Sequence, residues 1–63
     1  MTAYKYNIKY CDLLGKTVAE ADLQVTNADT QERSFELALE YAKAHLKPHR
    51  MIESINFERM ILL

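Results

Sequence analysis

The chain has 63 residues, enough for one small domain, and its 8 Lys and Arg nearly balance its 9 Asp and Glu. A net charge of −1 excludes a nucleic-acid binder that relies on bulk positive charge, and a single cysteine excludes an intramolecular disulfide. No apolar run approaches the roughly 18 residues that a membrane span needs. We therefore expect a cytoplasmic protein with no membrane association.

A first strand is predicted over residues 3–11, AYKYNIKYC. Tyr4, Tyr6, Ile8 and Tyr10 alternate with polar residues, and this period of two is typical of a half-buried strand. We expect the tyrosine rings to be buried and the hydroxyls to lie at the rim, because a fully buried hydroxyl needs a hydrogen-bond partner.

A turn over residues 12–15 (DLLG) connects this strand to a second one over residues 17–26. Aspartate suits the first turn position and glycine the fourth, which predicts a hairpin closed by a type I turn and a glycine bulge. The inward residues of the two strands have opposite parity. We therefore predict a register in which Ile8 faces Ala19.

The predicted helix covers residues 30–47, after Asp29 as N-cap with Glu32 at capping-box spacing. Pro48 is expected to end it, because proline disfavours helical geometry at the residue before it. Five apolar residues at helical spacing form the stripe that should cover a sheet: Phe35, Ala38, Leu39, Ala42 and Leu46.

A third strand is predicted over residues 52–62, with Ile55, Phe57 and Ile61 pointing inward. Glu53 and Arg59 share the inward parity, so either the strand is bulged there or these two residues lie at its ends.

The element order is β-β-α-β, and we predict an α+β fold with a three-stranded antiparallel sheet in the order 2-1-3 and the helix on one face. The opposite face should be solvated. It carries Lys5, Asn7, Lys9, Glu20, Asp22, Ser54, Asn56 and Glu58.

The sequence gives little indication of a catalytic or metal-binding site. His45 and His49 are four residues apart, but Pro48 lies between them and no third ligand is evident. Cys11 has no base or cation beside it, which is typical of a spectator thiol. We therefore expect no enzyme, no cofactor and no metal.

Apolar residues outside the predicted core are candidate contacts for a partner protein. On the helix they lie roughly opposite the main stripe, and on the last strand they belong to an apolar run, MILL. The alternative interpretation is scattered surface residues, which are ordinary. The candidates are Leu37, Tyr41, Ala44, Met60 and Leu62.

One basic cluster follows the helix, and it is a candidate contact for an anion or a nucleic acid: Lys43, Lys47, His49 and Arg50. The alternative is a solubilising helix end. Nucleic-acid binding would gain support if the strand parity were inverted, because Tyr4, Tyr6 and Tyr10 would then form a stacking platform.

Residues 28–57, with the run Glu36-Leu37-Ala38, resemble the helix and last strand of small phage-encoded β-β-α-β proteins such as the phage inhibitor of bacterial RNA polymerase. The resemblance covers about half of the chain, and none of that family's binding residues is matched in it. It implies a small non-enzymatic protein that binds and inhibits a host protein.

Three hypotheses for function follow from these observations. The first is a non-catalytic protein-binding module that acts through a sheet edge, the helix or the C-terminal residues. The second is a structural homo-oligomer, because a domain this short buries little of its surface alone. The third is a nucleic-acid binder that uses the basic helix end.

Overall fold

The computed structural model describes all 63 residues, as one sheet with one helix packed on it. The elements are β1 (Thr2–Asp12), β2 (Thr17–Val25), α1 (Gln31–Ala44) and β3 (Arg50–Leu62). Both strand pairs are antiparallel, and β1 is central in the order β2-β1-β3. The predicted α+β fold, its element order and its strand order are therefore confirmed.

The helix begins one residue later than predicted. Thr30 is the N-cap: its backbone is extended, and its side chain accepts a hydrogen bond from the Arg33 N–H at 3.1 Å. The Thr30 side chain thus satisfies one of the unpaired N–H groups at the start of the helix. The capping box predicted for Asp29 and Glu32 does not form.

The helix also ends three residues earlier than Lys47, because His45 caps it. The His45 N–H reaches the Tyr41 and Lys43 carbonyls, and its ring Nδ1 donates to the Tyr41 carbonyl at 2.9 Å. The chain then reverses through His49, whose φ of 63° is left-handed, and β3 starts at Arg50 instead of Ile52.

The hairpin turn has the predicted form. The Gly15 N–H donates to the Asp12 carbonyl at 3.0 Å, and Gly15 has a φ of 87°, which glycine adopts without steric cost. Asp12 Oδ1 accepts from the Leu14 and Lys16 N–H groups, both at 2.9 Å. The aspartate thus holds the turn as its position predicts.

The predicted register of this hairpin is wrong by two residues. Ile8 pairs with Ala21, not with Ala19, and Asn7 pairs with Asp22. The ladder shifts between Tyr10 and Cys11, where Val18 is the extra residue on β2. A shift of two keeps the parity, so the inward set of both strands is confirmed.

Two bulges in β3 explain the flaw in its pattern. Its register to β1 shifts once where Glu53 is the extra residue and again where Glu58 is. After the second bulge Arg59 pairs with Lys5 on the polar face, and Ile61 pairs with Ala3 on that face, contrary to its predicted inward position. The bulges therefore turn Met60 and Leu62 toward the face that carries the helix.

Small residues of α1 lie directly over β1. Ser34, Ala38 and Ala42 follow one another at intervals of four and expose no surface. They allow the helix backbone to approach the tyrosines of β1 closely. The core consists of these residues and of Tyr4, Tyr6, Ile8, Tyr10 and Val25.

Two tyrosine hydroxyls connect the sheet to the helix, so the prediction that they lie at the rim is wrong for these two. Tyr10 donates to the Ala42 carbonyl at 2.9 Å. The Tyr6 hydroxyl lies 2.6 Å from Ser34 Oγ, which itself donates to the Gln31 carbonyl at 2.6 Å. Each buried hydroxyl therefore has the partner that its burial demands.

The buried face of α1 is rotated toward β2 relative to the predicted stripe. Leu37 packs against the core cluster that contains Tyr4, and Tyr41 against the one that contains Ile8, so neither lies opposite the core. Phe35 and Leu46, expected in the buried stripe, are instead exposed. The difference arises because the helix packs closely on the sheet. Only its smallest residues fit between the two, so the larger ones lie to the side.

The middle of the open face is polar, as predicted for residues such as Lys5 and Lys9, whereas the Ala3–Ile61 and Cys11–Met51 pairs near its two ends are apolar. Asn7 donates to Glu20 at 2.9 Å and to Asp22 at 3.1 Å across the β1–β2 pair. Glu58 is an exception, because it is the extra residue of a bulge.

We predict that Ala38→Leu lowers the free energy of unfolding by about 1–3 kcal/mol, because a larger side chain forces the helix away from β1. Ala44→Leu on the same helix is the matched control, because Ala44 is exposed. Urea denaturation measures both variants. Equal stability of the two variants would contradict the close approach described here.

Candidate functional site

Four large apolar side chains are exposed along β3 and the adjoining flank of α1, in addition to exposed leucines in the hairpin turn and exposed residues at the two chain ends. Phe35, Phe57, Met60 and Leu62 are 44, 40, 56 and 79% exposed, and we call them the β3 strip. Phe35 and Phe57 both contact Tyr6, with ring centroids 6.2 and 5.5 Å from its own. Phe57 and Met60 pair with Tyr6 and Tyr4 on the helix-bearing face, so the strip is continuous.

The β3 strip unites some of the predicted partner contacts and separates others. Met60 and Leu62 belong to it. Leu37 and Tyr41 are half-buried on the opposite flank of α1, and Ala44 is exposed at the helix end. The five predicted residues therefore do not form one surface.

Sequence reasoning missed Phe35 and Phe57 as surface residues because both have the spacing of core residues. Phe35 repeats at helical intervals with Ala38 and Ala42, and Phe57 alternates with polar neighbours. The available signal was side-chain size: a helix can approach a sheet closely only through small residues, and Ser34, Ala38 and Ala42 are the small set at intervals of four.

A shallow cleft of about 220 Å³ lies between α1 and β2, on the other side of the helix from the β3 strip. One wall is the Tyr41 ring stacked on the His45 ring, with centroids 4.1 Å apart and an interplanar angle of 28°. We call it the α1–β2 cleft. Its lining residues are Tyr10, Ala19, Glu20, Ala21, Tyr41, His45, Lys47 and Arg50.

The α1–β2 cleft contains two of the four predicted anion contacts. Lys47 and Arg50 line it, whereas Lys43 and His49 are exposed and do not. The stacking platform that an inverted parity would create is excluded, because Tyr4, Tyr6 and Tyr10 are buried in the core.

The candidate chemical groups are placed as follows. Cys11 is a buried free thiol, and His45 uses one ring nitrogen to cap the helix. No three or more His, Cys, Asp or Glu side chains come together in a group that could hold a metal ion. The one helix is too short and too polar to cross a membrane.

Comparison of the chain with known protein families, with curated proteins and with solved structures gives no match. The resemblance to phage-encoded inhibitors stays a prediction of the sequence. Functional inference therefore depends on the β3 strip and the α1–β2 cleft themselves.

Ionisation of the Tyr10 hydroxyl makes the free energy of unfolding depend on pH in the alkaline range. Burial raises the pKa of Tyr10 above its ordinary value of 10.0, and the neighbouring Tyr41 raises it further. The folded protein therefore holds this proton more tightly than the unfolded chain. The stabilisation is complete below about pH 10 and is lost as the pH rises through the folded pKa.

We predict that wild type is more stable than Tyr10→Phe by about 1 kcal/mol at neutral pH, because the hydrogen bond to Ala42 is present. The difference should shrink above about pH 10. Urea midpoints of both proteins across this range measure it, and absorbance of tyrosinate follows the ionisation itself. A difference that stays constant with pH would contradict the prediction.

Proposed function

We propose that this chain is a non-catalytic protein-binding domain that takes an extended apolar segment of a partner protein along the free edge of β3. The β3 strip is the observation that carries the proposal. It places four exposed apolar side chains beside the unpaired backbone groups of an edge strand. A partner strand docked there gains backbone hydrogen bonds and apolar burial at once.

The opposite edge of the sheet offers less to such a segment. On β2, Ala19, Ala21 and Leu23 are already half-covered by α1, and Val25 is buried. The exposed residues between them are polar, among them Glu20 and Asp22. Val18 is the one exposed large apolar residue of β2, so β3 is the edge with more apolar surface to bury.

The bulges at Glu53 and Glu58 restrict the part of β3 with which a partner strand can pair. They interrupt the regular ladder and leave residues 59–62 as an uninterrupted apolar-rich stretch at the end of β3. Bulges on an edge strand discourage indiscriminate pairing along its whole length. The proposed docking segment is therefore short and centred on Met60 and Leu62.

The test is a double variant, Met60→Lys with Leu62→Lys, which places two charges on the docking stretch. Leu13→Lys with Leu14→Lys is the matched control, because both leucines are exposed in the hairpin turn at a distance from this stretch. Affinity capture from the native cells, read by mass spectrometry, should recover a protein with wild type and the control, and lose it with the strip variant.

Circular dichroism should show equal folding in all three proteins, because every substituted residue is exposed. A captured protein that binds the strip variant as well as wild type would contradict the proposal.

A second candidate is a structural homo-oligomer that buries the β3 strip between copies. The four side chains of the strip are apolar and exposed, so two copies can bury them against each other. Association of this kind is a common source of stability for a chain of this length.

For the second candidate we predict a sedimenting mass above 7.4 kDa that falls on dilution through the micromolar range. Met60→Lys with Leu62→Lys should return it to 7.4 kDa, and the leucine-turn control should not. A wild-type mass of 7.4 kDa at every concentration would remove the homo-oligomer and leave the first candidate standing.

A further inference from the structure

Two cations line the α1–β2 cleft without a charged partner. Lys47 and Arg50 make no ion pair, since the single ion pair of the molecule joins Arg33 to Glu36. Neither side chain donates a hydrogen bond to any protein acceptor. Their charge is therefore free to meet a ligand.

Two carboxylates close to these cations accept hydrogen bonds from other groups. Glu20 lines the cleft, but its Oε1 accepts a hydrogen bond from Asn7 on the open face of the sheet at 2.9 Å. Asp12 is the cross-strand neighbour of Arg50, and its Oδ1 accepts from two N–H groups of the hairpin turn. The lining thus has two cations, Lys47 and Arg50, against the one carboxylate of Glu20, so its net charge is +1 although the chain as a whole carries −1.

The remaining lining is apolar and aromatic. Ala19 and Ala21 of β2 are only half-buried, and the stacked rings of Tyr41 and His45 stand beside them. Tyr10 also lines the cleft, and its hydroxyl is bonded to the Ala42 carbonyl. A closed cavity of about 150 Å³ already accommodates benzene, so a cleft of about 220 Å³ has room for one ring.

We infer that the α1–β2 cleft binds a small organic anion, a phosphate or carboxylate attached to one aromatic or short apolar group. Lys47 and Arg50 hold the charged group, and the guanidinium of Arg50 can do so with two parallel hydrogen bonds. The alanines and the Tyr41–His45 stack contact the apolar body. The inference is independent of the proposed protein-binding role, because the β3 strip lies on the other flank of α1.

Phenyl phosphate is the probe, with phenol and inorganic phosphate as its two halves. Titration followed by two-dimensional NMR should shift the amides of Ala19, Ala21, Lys47 and Arg50. We expect a Kd on the order of 1 mM for phenyl phosphate, about tenfold tighter than for either half. Equal affinity for inorganic phosphate would mean an adventitious ion only and would overturn the inference.

Lys47→Gln with Arg50→Gln should weaken binding of phenyl phosphate by about tenfold. Lys5→Gln with Lys9→Gln is the matched control, because it removes the same charge from the open face and should leave the Kd unchanged. Equal weakening by both pairs would assign the effect to overall charge and overturn the inference.

Arg50 is half-buried, so its substitution carries a risk of unfolding that a third variant avoids. If the double variant does not fold, Lys47→Gln alone carries the test, because Lys47 is exposed. A Kd unchanged by Lys47→Gln would then contradict the inference.

Discussion

The close approach of one helix to one strand determines the arrangement of this molecule. Ser34, Ala38 and Ala42 have side chains small enough to bring the helix within hydrogen-bonding distance of two tyrosine hydroxyls on β1: Tyr10 reaches the Ala42 carbonyl, and Tyr6 reaches the Ser34 hydroxyl. The packing of the alanines on β1 and the hydrogen bonds from the two tyrosines both require the same face of the helix. The helix orientation is fixed by this face, and the larger apolar residues on either side are placed as a consequence.

Both candidate surfaces follow from that orientation. Turning the small residues of α1 toward β1 leaves Phe35 on the flank beside β3, where it joins Phe57 and the residues beyond it. The same orientation lays Tyr41 over β2 and opens the cleft between them. A helix packed through its leucines would stand farther from the sheet and would expose neither arrangement in this form.

The fold was predictable from the sequence because its periods are clear. Alternation in β1 and β2, the turn chemistry of Asp12 and Gly15, and the helical spacing before Pro48 each indicate one element. Register was not predictable. The glycine bulge at Gly15, where Asp12 bonds to Lys16, accounts for one residue of the error, and the extra residue at Val18, which has no signature in residue type, accounts for the other. The parity conflict at Glu53 did signal a bulge, whereas the bulge at Glu58 showed only through its neighbour Arg59.

The candidate site was less accessible to sequence reasoning. Large apolar residues at core spacing, such as Phe35, are indistinguishable from core residues until the closeness of the helix is known. Met60 was recognised because it belongs to an apolar run with no polar alternation. The cleft combines residues from β1, β2, α1 and β3, and no local pattern reports such a combination.

The central place of β1 has a consequence for how the chain folds. Thr2 pairs with Leu62, and the Leu63 N–H donates to the Met1 carbonyl at 2.8 Å, so the sheet joins residues about as distant in sequence as the chain allows. The first hairpin can close locally, but the second edge of β1 pairs only after the helix and β3 have been made. Contacts between residues so far apart in sequence slow folding. Until β3 has paired, β1 has an unpaired edge and can associate with other unfinished chains during synthesis.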